Sequence, residues 1–325
     1  MSEFGVAILG TGLAARIHTA RLRRMPGVSR FYASRDAARA EAFNRKAGGA
    51  GAFSGYRAAT EDPRVHAVVI GTPPSSHLEL ALSAFAAGKH VVVEKPPFMS
   101  TTEFDAAAAA ARASDRRLLV AENYFYKPMA EALRRVLAAG DLGEPRLVSV
   151  NAMKHQRVRG WRGEPDLVGG GALLEGGIHW VNFMANLGLE VRGVSAVRAG
   201  PGTAAGDLTS VSLFEYAGGA AGVLAYSWEI GSPLKGLRLS AVYGTAGTAT
   251  WESNGIFLLV RGRRVRFSAP QPGDIAGYAA MWRDFVPALL ENREPRFHAA
   301  LARRDLELVE ALTASMNAGL PSPND

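Results

Sequence analysis

A glycine-rich turn after the first apolar run constrains the fold of this chain more than any other feature. Residues 4–9 are apolar with a β-branched bias, which predicts a strand, and a helical pattern runs from 14 to about 25. Gly10, Gly12 and Ala15 form a G-x-G-x-x-A pattern. The first glycine makes a tight turn, the second lets backbone amides reach a pyrophosphate, and the small alanine lets helix pack closely on strand. This order predicts a dinucleotide-binding unit.

The alternation of strands and helices continues to residue 121. Apolar runs at 28–33, 66–70, 90–93 and 118–121 are separated by helical patterns, which predicts a doubly wound parallel sheet in a first domain over residues 1–122. Ligands of such sheets bind beyond the carboxyl ends of the strands. The unusual residues at those ends are Gly10, Ser34, Thr72, Glu94, Lys95 and Asn123.

The end of the second strand bears on the choice between NAD and NADP. An NAD-specific site places an acidic residue there on the ribose 2′-hydroxyl, whereas this chain has Ser34 followed by Arg35. A hydroxyl and a guanidinium suit a 2′-phosphate, so NADP is favoured over NAD. In the alternative interpretation Ser34 only caps the next helix, Arg35 is solvated and Asp36 reaches the ribose, which leaves NAD possible.

Lys95 lies in the segment EKPP, at the carboxyl end of a predicted strand. Pro96 fixes the following backbone and so restricts where the ammonium group points. A solvated surface lysine is the commoner explanation of any single lysine. The position at a strand end makes a functional role equally plausible.

The pattern changes after residue 137. Strands joined by glycine turns predict an open, mainly antiparallel sheet in a second α/β domain over residues 123–325, and two helical patterns, 275–291 and 298–318, close the chain. One face of the sheet needs a cover other than this chain's helices. A second subunit is a reasonable cover, so we expect a homodimer or homotetramer. The predicted strands span 146–152, 191–197, 208–216, 220–228, 237–243, 247–251 and 256–267 with a turn at Gly262.

The segment GGGALLEGGIHWVN at 169–182 predicts a helix with a polar stripe of Glu175, His179 and Asn182. Gly176 and Gly177 inside it each cost about 1 kcal/mol relative to alanine, which indicates close approach of another backbone or a ligand. A buried polar stripe with satisfied hydrogen bonds and a reactive site are both compatible with these residue types.

Composition excludes several classes of protein. The chain has 325 residues, enough for two domains, with 48% hydrophobic and 21% charged residues. No apolar run is long enough for a membrane span and no cleavable leader is recognisable, so we expect a cytoplasmic protein. With no cysteine and no histidines at ligand spacing, we expect no metal site. The net charge of +7 comes from scattered arginines, which favours a solvated basic surface over nucleic-acid binding.

Taken together, GTGLAARIH, GTPPSSH, EKP, the GGGALLEGGIH block and the final helix resemble the Gfo/Idh/MocA family of nicotinamide-dependent oxidoreductases over essentially the whole chain. The resemblance implies hydride transfer between the nicotinamide and a carbinol or carbonyl carbon of a sugar, polyol or diol. It also implies that Lys95 and His179 bind the reacting oxygen and handle its proton, assisted by Glu175. The candidate cofactor-binding residues are Gly10, Thr11, Gly12, Leu13, Ala15, Ser34, Arg35, Thr72, Pro73, His77, Glu94, Lys95 and Asn123.

The chain departs from the family pattern at two positions. Glu175 stands where the family usually has Asp, and Asn182 stands where a second Asp often follows the histidine. These changes affect how His179 is oriented and which substrate fits. The candidate substrate-binding residues are Tyr124, Tyr126, Lys154, Trp161, Arg162 and Asn182, for which packing at a domain junction is the commoner explanation.

Two further functions stay open. Some relatives are glycoside hydrolases that use tightly bound NAD for transient oxidation, although Ser34 and Arg35 count against that function. The other alternative is a non-catalytic protein that binds the cofactor. The presence of both Lys95 and His179 argues against it.

Overall fold

The structure is a computed structural model that describes residues 4–156, 170–201, 206–231, 236–269 and 272–318. Its contacts divide the chain into two compact units, one of Met1–Glu122 with Tyr278–Arg303 and one of Asn123–Gly277 with Arg304–Asp325. The predicted second domain included 278–303, which the contacts group with the first unit instead. The two predicted domain ranges stay a prediction.

The first unit contains a six-stranded parallel sheet in the order β3-β2-β1-β4-β5-β6. Both faces are covered, because every residue of the two central strands, at 4–9 and 67–70, is buried. The sequence pattern did not predict the edge strand β3. The strands are β1 Phe4–Leu9, β2 Val28–Ser34, β3 Gly51–Ser54, β4 Ala67–Ile70, β5 His90–Val93 and β6 Leu118–Val120.

Helices of the first unit begin and end at recognisable signals. Asp36 caps the second helix through the amides of Ala38 and Arg39, and Gly48 ends it in the left-handed region with φ 64°. Ser100 caps the fifth through the amide of Glu103. The helices are α1 Leu13–Leu22, α2 Ala37–Ala47, α3 Tyr56–Glu61, α4 His77–Ala86, α5 Thr101–Ala113 and, from the C-terminal part of the chain, Tyr278–Leu290.

The second unit contains an eight-stranded sheet in the order β14-β13-β12-β11-β7-β10-β9-β8. All its neighbouring pairs are antiparallel except β7 with β10, which makes the sheet mixed. The strands are β7 Pro145–Met153, β8 Val191–Arg198, β9 Thr209–Tyr216, β10 Ala221–Ser227, β11 Leu239–Gly244, β12 Gly247–Glu252, β13 Leu258–Arg261 and β14 Val265–Ser268.

One face of this sheet carries exposed apolar side chains. Val211 and Leu213 point away from the core, whereas Ser212, Phe214 and Tyr216 alternate with them and are buried. Directly paired residues share a face, so the exposed face continues across the sheet. Its exposed large apolar side chains include Val197, Val211, Leu213, Tyr243, Val265 and Phe267.

The helices of the second unit lie before β7, between β7 and β8, and after β14 in the sequence. They are α6 Pro128–Ala138, a π-type turn at Leu173–Gly177 that leads into α7 Ile178–Ala185, and part of Ala299–Ala318. With Tyr278–Leu290 as α8, the last helix is α9. The predicted fold class, a Rossmann sheet followed by an α/β domain with an open, mainly antiparallel sheet, is confirmed. Within the described ranges, no helix has the length and apolar character needed to cross a bilayer.

Candidate active site

Gly10 lies where the strand order of the first unit reverses. Its φ is 105°, which a residue with a side chain rarely adopts, and a Cβ there would lie 3.0 Å from the carbonyl oxygen of Gly71. β1 and β4 are neighbours whose connections leave in opposite directions, which is the switch point where doubly wound sheets bind ligands. Glycine is therefore required at position 10 by the protein's own backbone.

Gly12 is a glycine for a different reason. A Cβ at this position would meet no atom of the described residues within 4 Å, so packing within that part of the chain does not require its absence. Gly12 is the N-cap residue of α1, has no capping side chain, and is followed by no acidic residue in the first turn. Such a helix start presents unpaired N–H groups and a positive dipole end to an anion. Beside it Thr11 is partly exposed, Leu13 is exposed and Ala15 is buried.

Ser34 and Asp36 are held by local hydrogen bonds at the end of β2. The buried Ser34 accepts a bond from the Asp36 amide to its Oγ at 3.3 Å. Asp36 Oδ1 accepts from the amides of Ala38 at 2.9 Å and Arg39 at 3.3 Å, so this oxygen is used in capping α2. Arg35 between them is exposed to solvent.

His77 connects two strand-end loops. Its Nε2 lies 2.9 Å from the Thr72 carbonyl oxygen, and its Nδ1 lies 3.1 Å from the carbonyl oxygens of both Pro96 and Pro97. The ring is buried, and burial lowers the pKa of His77 below its usual value. The predicted cofactor contacts at Thr72, Pro73 and His77 stay predictions, but both ring nitrogens of His77 already face backbone carbonyls.

Lys95 follows β5 directly and is joined to Pro96 by a cis peptide bond. Its amide donates to Glu94 Oε2 at 3.1 Å, and Glu94 Oε1 lies 2.8 Å from Nε2 of the buried His18. Burial raises the pKa of Glu94, but the hydrogen bond and charge of His18 with the charge and amide of Lys95 outweigh it, so the pKa is below its usual value. Glu94 is therefore ionised at neutral pH.

Asn123 begins the second unit with a buried side chain. Its Nδ2 donates to the Ala276 carbonyl oxygen at 2.7 Å. Its Oδ1 is buried without a hydrogen-bond partner in the described chain. A buried acceptor without a donor is costly, and a donor group of a bound molecule would satisfy it.

His179 lies on α7 and stacks on Tyr124. The ring centroids are 4.4 Å apart with an angle of 12° between the planes, which fixes the orientation of the imidazole. The ammonium of the buried Lys127 lies 4.2 Å from the Tyr124 centroid, and Trp180 meets Tyr124 edge-on at 5.1 Å. A cation–aromatic stack thus supports the side of the helix that carries His179.

Both glycines of the site helix, Gly176 and Gly177, pack against the side chain of Tyr226. A Cβ at Gly176 would overlap the hydroxyl oxygen of the buried Tyr226, which accepts a bond from Trp228 Nε1 at 2.7 Å. Burial raises the pKa of Tyr226 well above its usual value, so the phenol is neutral. Asp207 Oδ2 accepts the Leu173 amide at 3.1 Å at the start of the π-type turn, and burial raises its pKa. Glu175 in that turn is buried.

Asn182 is fully buried and binds a carboxylate. Its Nδ2 donates to Asp305 Oδ2 at 2.6 Å, and Asn186 Nδ2 donates to the same oxygen at 3.2 Å. Arg304 donates to Asp305 Oδ1 at 2.8 Å. The amide that replaces the family's second Asp therefore faces a carboxylate from α9. Its predicted substrate contact stays a prediction.

The remaining predicted substrate residues lie in different surroundings. Tyr126 is fully buried against Phe125, and Lys154 is exposed with its amide bonded to the Ser227 carbonyl oxygen at 3.0 Å. Trp161 and Arg162 lie outside the described residues. No three His, Cys, Asp or Glu side chains converge on a metal position in the described part of the chain.

Several residues beside the site were not predicted from the sequence. His18 lies in the GTGLAARIH motif, three positions after Ala15. Residues three apart on a helix share a face, so the sequence could have placed His18 on the same buried face as Ala15. No local signal marked the tertiary partners, which are Lys127, Asp207, Tyr226, Trp282 and Asp305.

Both halves of the chain match models of one protein family. Residues 4–122 match the model described as oxidoreductase family, NAD-binding Rossmann fold, and residues 130–250 match the GFO/IDH/MocA C-terminal domain. The trans-1,2-dihydrobenzene-1,2-diol dehydrogenase of Sus scrofa is 32% identical over 286 residues, which cover 83% of this chain and 82% of that enzyme.

Two solved structures share the fold. Levoglucosan dehydrogenase in complex with NADH and levoglucosan has a TM-score of 0.86 at 21% identity, and 98% of each chain is covered. GenD2 from gentamicin A biosynthesis, in complex with NAD, has a TM-score of 0.85 at 27% identity and covers 98% of this chain and 96% of its own.

Proposed function

The chain belongs to the Gfo/Idh/MocA family of oxidoreductases with an NAD-binding Rossmann fold, and we propose that it transfers hydride between NADP and a sugar, polyol or diol. The resemblance drawn from its motifs is confirmed. It is an enzyme of the dehydrogenase and reductase class that acts on CH–OH groups. The single observation that carries the proposal is the uncapped start of α1 at Gly12, open to a ligand at the switch point of the sheet.

The residues of the first unit fit a dinucleotide. The turn at Gly10 to Gly12 and the first amides of α1 would hold the pyrophosphate, with the room above Gly12 available to it. At the start of the second unit, the buried Oδ1 of Asn123, which has no hydrogen-bond partner among the described residues, would accept an N–H donor of the cofactor. A bound nicotinamide would supply the hydride acceptor or donor, at its C4.

NADP is favoured over NAD by the surroundings of Ser34. Asp36 Oδ1 is used in capping α2, whereas Arg35 is exposed and available to a 2′-phosphate. We expect Arg35→Ala to raise the NADPH dissociation constant by about tenfold or more and to leave that for NADH nearly unchanged. Arg45→Ala, at an exposed arginine on α2, is the matched control. Equal effects of Arg35→Ala on both cofactors would contradict the proposal.

Lys95 and His179 carry the proton chemistry in this proposal. In the oxidative direction His179 takes the hydroxyl proton as the C–H hydride leaves, and the Lys95 ammonium stabilises the developing negative charge on oxygen. The stack on Tyr124 holds the His179 ring in one orientation. Glu175, buried in the π-type turn one helical turn earlier, assists His179.

The substrate class follows from the relatives. The relative that is 32% identical is named for a trans-diol, and a structural neighbour was solved with levoglucosan, so vicinal diols and sugars are the substrates to test. We expect NADPH formation with at least one of them and a loss of kcat by about 100-fold or more in Lys95→Ala and His179→Ala. The exposed Lys46 and His155, changed to alanine, are the controls.

Each alternative function predicts a different result. A glycoside hydrolase that works by transient oxidation would release product without net change in nicotinamide absorbance and would retain NAD through purification. A binding protein would take up NADPH while wild type and both variants stayed equally inert.

A second copy of the chain would cover the exposed sheet face, as the prediction of a homodimer or homotetramer requires. Leu213 and Val211 lie at 47% and 39% exposure on this face. Leu213→Asp should shift light scattering from dimer or tetramer to monomer, and Leu82→Asp on α4 is the control. A wild type that is monomeric at all concentrations would contradict this part. The cytoplasmic location stays a prediction.

A further inference from the structure

His18, Glu94 and Trp282 form a chain of hydrogen bonds inside the first unit. Trp282 Nε1 donates to His18 Nδ1 at 3.0 Å, and His18 Nε2 lies 2.8 Å from Glu94 Oε1. Glu94 Oε2 then accepts the Lys95 amide at 3.1 Å. His18 and Trp282 are both fully buried, and their rings meet edge-on at 5.5 Å. The chain therefore leads from α8 to the backbone of Lys95.

The indole of Trp282 determines the tautomer of His18. An indole N–H is a donor only, so Nδ1 of His18 must be an acceptor and carry no proton. The proton of the neutral ring is then on Nε2, which donates it to Glu94. The direction of each bond in the chain is fixed from one end.

Glu94 has to accept at both oxygens. His18 donates to Oε1 and the Lys95 amide donates to Oε2, which only an ionised carboxylate can satisfy without a clash between hydrogens. The carboxylate is thereby held against the peptide that precedes the cis bond to Pro96.

We propose that His18 and Trp282 are positioning residues for Lys95. Trp282 selects the tautomer, His18 orients the Glu94 carboxylate, and Glu94 fixes the backbone from which the Lys95 side chain extends. The role of Lys95 in this inference rests on the proposed function. The tautomer itself does not, because it follows from the hydrogen bonds alone.

The fixed direction of these hydrogen bonds leads to a prediction that simple core packing would not make. In Glu94→Gln the amide group places a donor against either the Lys95 N–H or the His18 Nε2–H. His18 cannot relieve the second clash by moving its proton to Nδ1, because the Trp282 N–H points at that nitrogen. Trp282→Phe removes this block, so it should relieve part of the damage done by Glu94→Gln.

The experiment is a double-mutant cycle on the full-length enzyme. We expect kcat to fall by about tenfold or more in Glu94→Gln and to recover at least threefold, about half that loss on a logarithmic scale, in Glu94→Gln with Trp282→Phe. The matched control is Trp251→Phe, because Trp251 is also fully buried but its Nε1 has no hydrogen-bond partner in the described chain. It should leave kcat and the cycle unchanged.

Histidine ¹⁵N NMR tests the tautomer independently of turnover. His18 in wild type should show a protonated Nε2 and an unprotonated Nδ1, and Trp282→Phe should produce a mixture of tautomers. A wild-type His18 protonated on Nδ1, or additive effects in the cycle, would overturn the inference. If wild type turned over no diol or sugar, the proposed function would fail while the NMR result still decided the tautomer.

Two further variants keep the inference testable if Glu94→Gln does not fold. His18→Gln retains a donor at the position of Nε2, whereas His18→Asn retains an acceptor at the position of Nδ1 but does not reach Glu94. We expect kcat of His18→Gln to exceed that of His18→Asn by about fivefold or more. If His18 served only packing, two variants of equal stability would have equal kcat. Equal kcat values or the reverse order would contradict the positioning role.

Discussion

The loop around Lys95 in the first unit and the helix around His179 in the second are built on different kinds of contact. His77 binds the backbone carbonyls of Thr72, Pro96 and Pro97, which are five to twenty residues away. These partners therefore lie in the two short motifs GTPPSSH and EKPP. The helix of His179 depends on side chains far along the chain, such as Asp305, which is 123 residues from Asn182. The contacts of His77 in the first region are therefore local, although His18 and Trp282 also support that region from far along the chain, whereas the helix of His179 is held by distant partners.

The largest test of this comparison is Asn182→Asp, which restores the family's usual residue. It would place a carboxylate against the buried Asp305, and we expect unfolding free energy to fall by about 4 kcal/mol in urea denaturation. Adding Asp305→Asn exchanges the two groups and should recover most of the loss. If Asn182→Asp were as stable as wild type at pH 7, Asp305 would not be the reason for asparagine at this position.

Asn182 also shows what the sequence could not provide. The departure from the family pattern was visible, and we expected it to alter the substrate site. The structure gives a physical reason, since a carboxylate on α9 faces the amide, and only the folded chain brings the two together. The same holds for Trp282, which is 264 residues from His18.

The sheets, by contrast, were predictable. Strands such as β5 and β9 are short apolar or alternating runs bounded by turn residues, and the predicted fold class is confirmed. The edge strand β3 and helix α3 were missed because GAFS and YRAATE are too short to show a period. The parallel pairing of β7 with β10 was missed because strand order is not encoded in periodicity.

Gly176→Ala tests the second region at the site helix itself. The added methyl group would overlap the Tyr226 hydroxyl, which is buried and held by Trp228, so we expect a loss of about 3 kcal/mol in unfolding free energy. Tyr226→Phe removes the overlapping oxygen and should rescue part of the loss in the double variant. No rescue would mean that the glycine serves the helix backbone rather than the tyrosine.

His90 tests the first region through pH. It is buried at the start of β5, where Nδ1 accepts the Arg117 amide at 3.1 Å. Burial, with smaller effects of Arg116, Arg117 and His66 that exceed that of Asp115, lowers the pKa of His90 to about 4. Between about pH 6.5 and 4, His90 is therefore protonated in the unfolded chain but not in the folded chain. The free energy of unfolding falls as the pH drops through that range.

The expected loss at His90 is about 3 kcal/mol by pH 4, with little further contribution from this residue below about pH 3. His90→Asn keeps an acceptor for the Arg117 amide but cannot titrate, so its stability should depend less steeply on pH. Urea denaturation of both proteins at several pH values between 4 and 7 measures the difference. Parallel curves would show that His90 is not the group responsible.

The smallest effect is expected at Asp36. This residue caps α2, and in the alternative interpretation its carboxylate binds the cofactor's ribose. Asp36→Ala removes the cap of α2 and should cost about 1 kcal/mol of stability, whereas Asp36→Ser supplies another capping oxygen and should cost little. If the carboxylate serves the helix rather than a ribose, both variants keep the NADH dissociation constant of wild type. Asp36→Ser separates the two roles, because it retains the cap and loses the charge. Weaker NADH binding by a stable Asp36→Ser protein would assign Asp36 to the ribose, and the preference for NADP inferred from Ser34 and Arg35 would then be wrong.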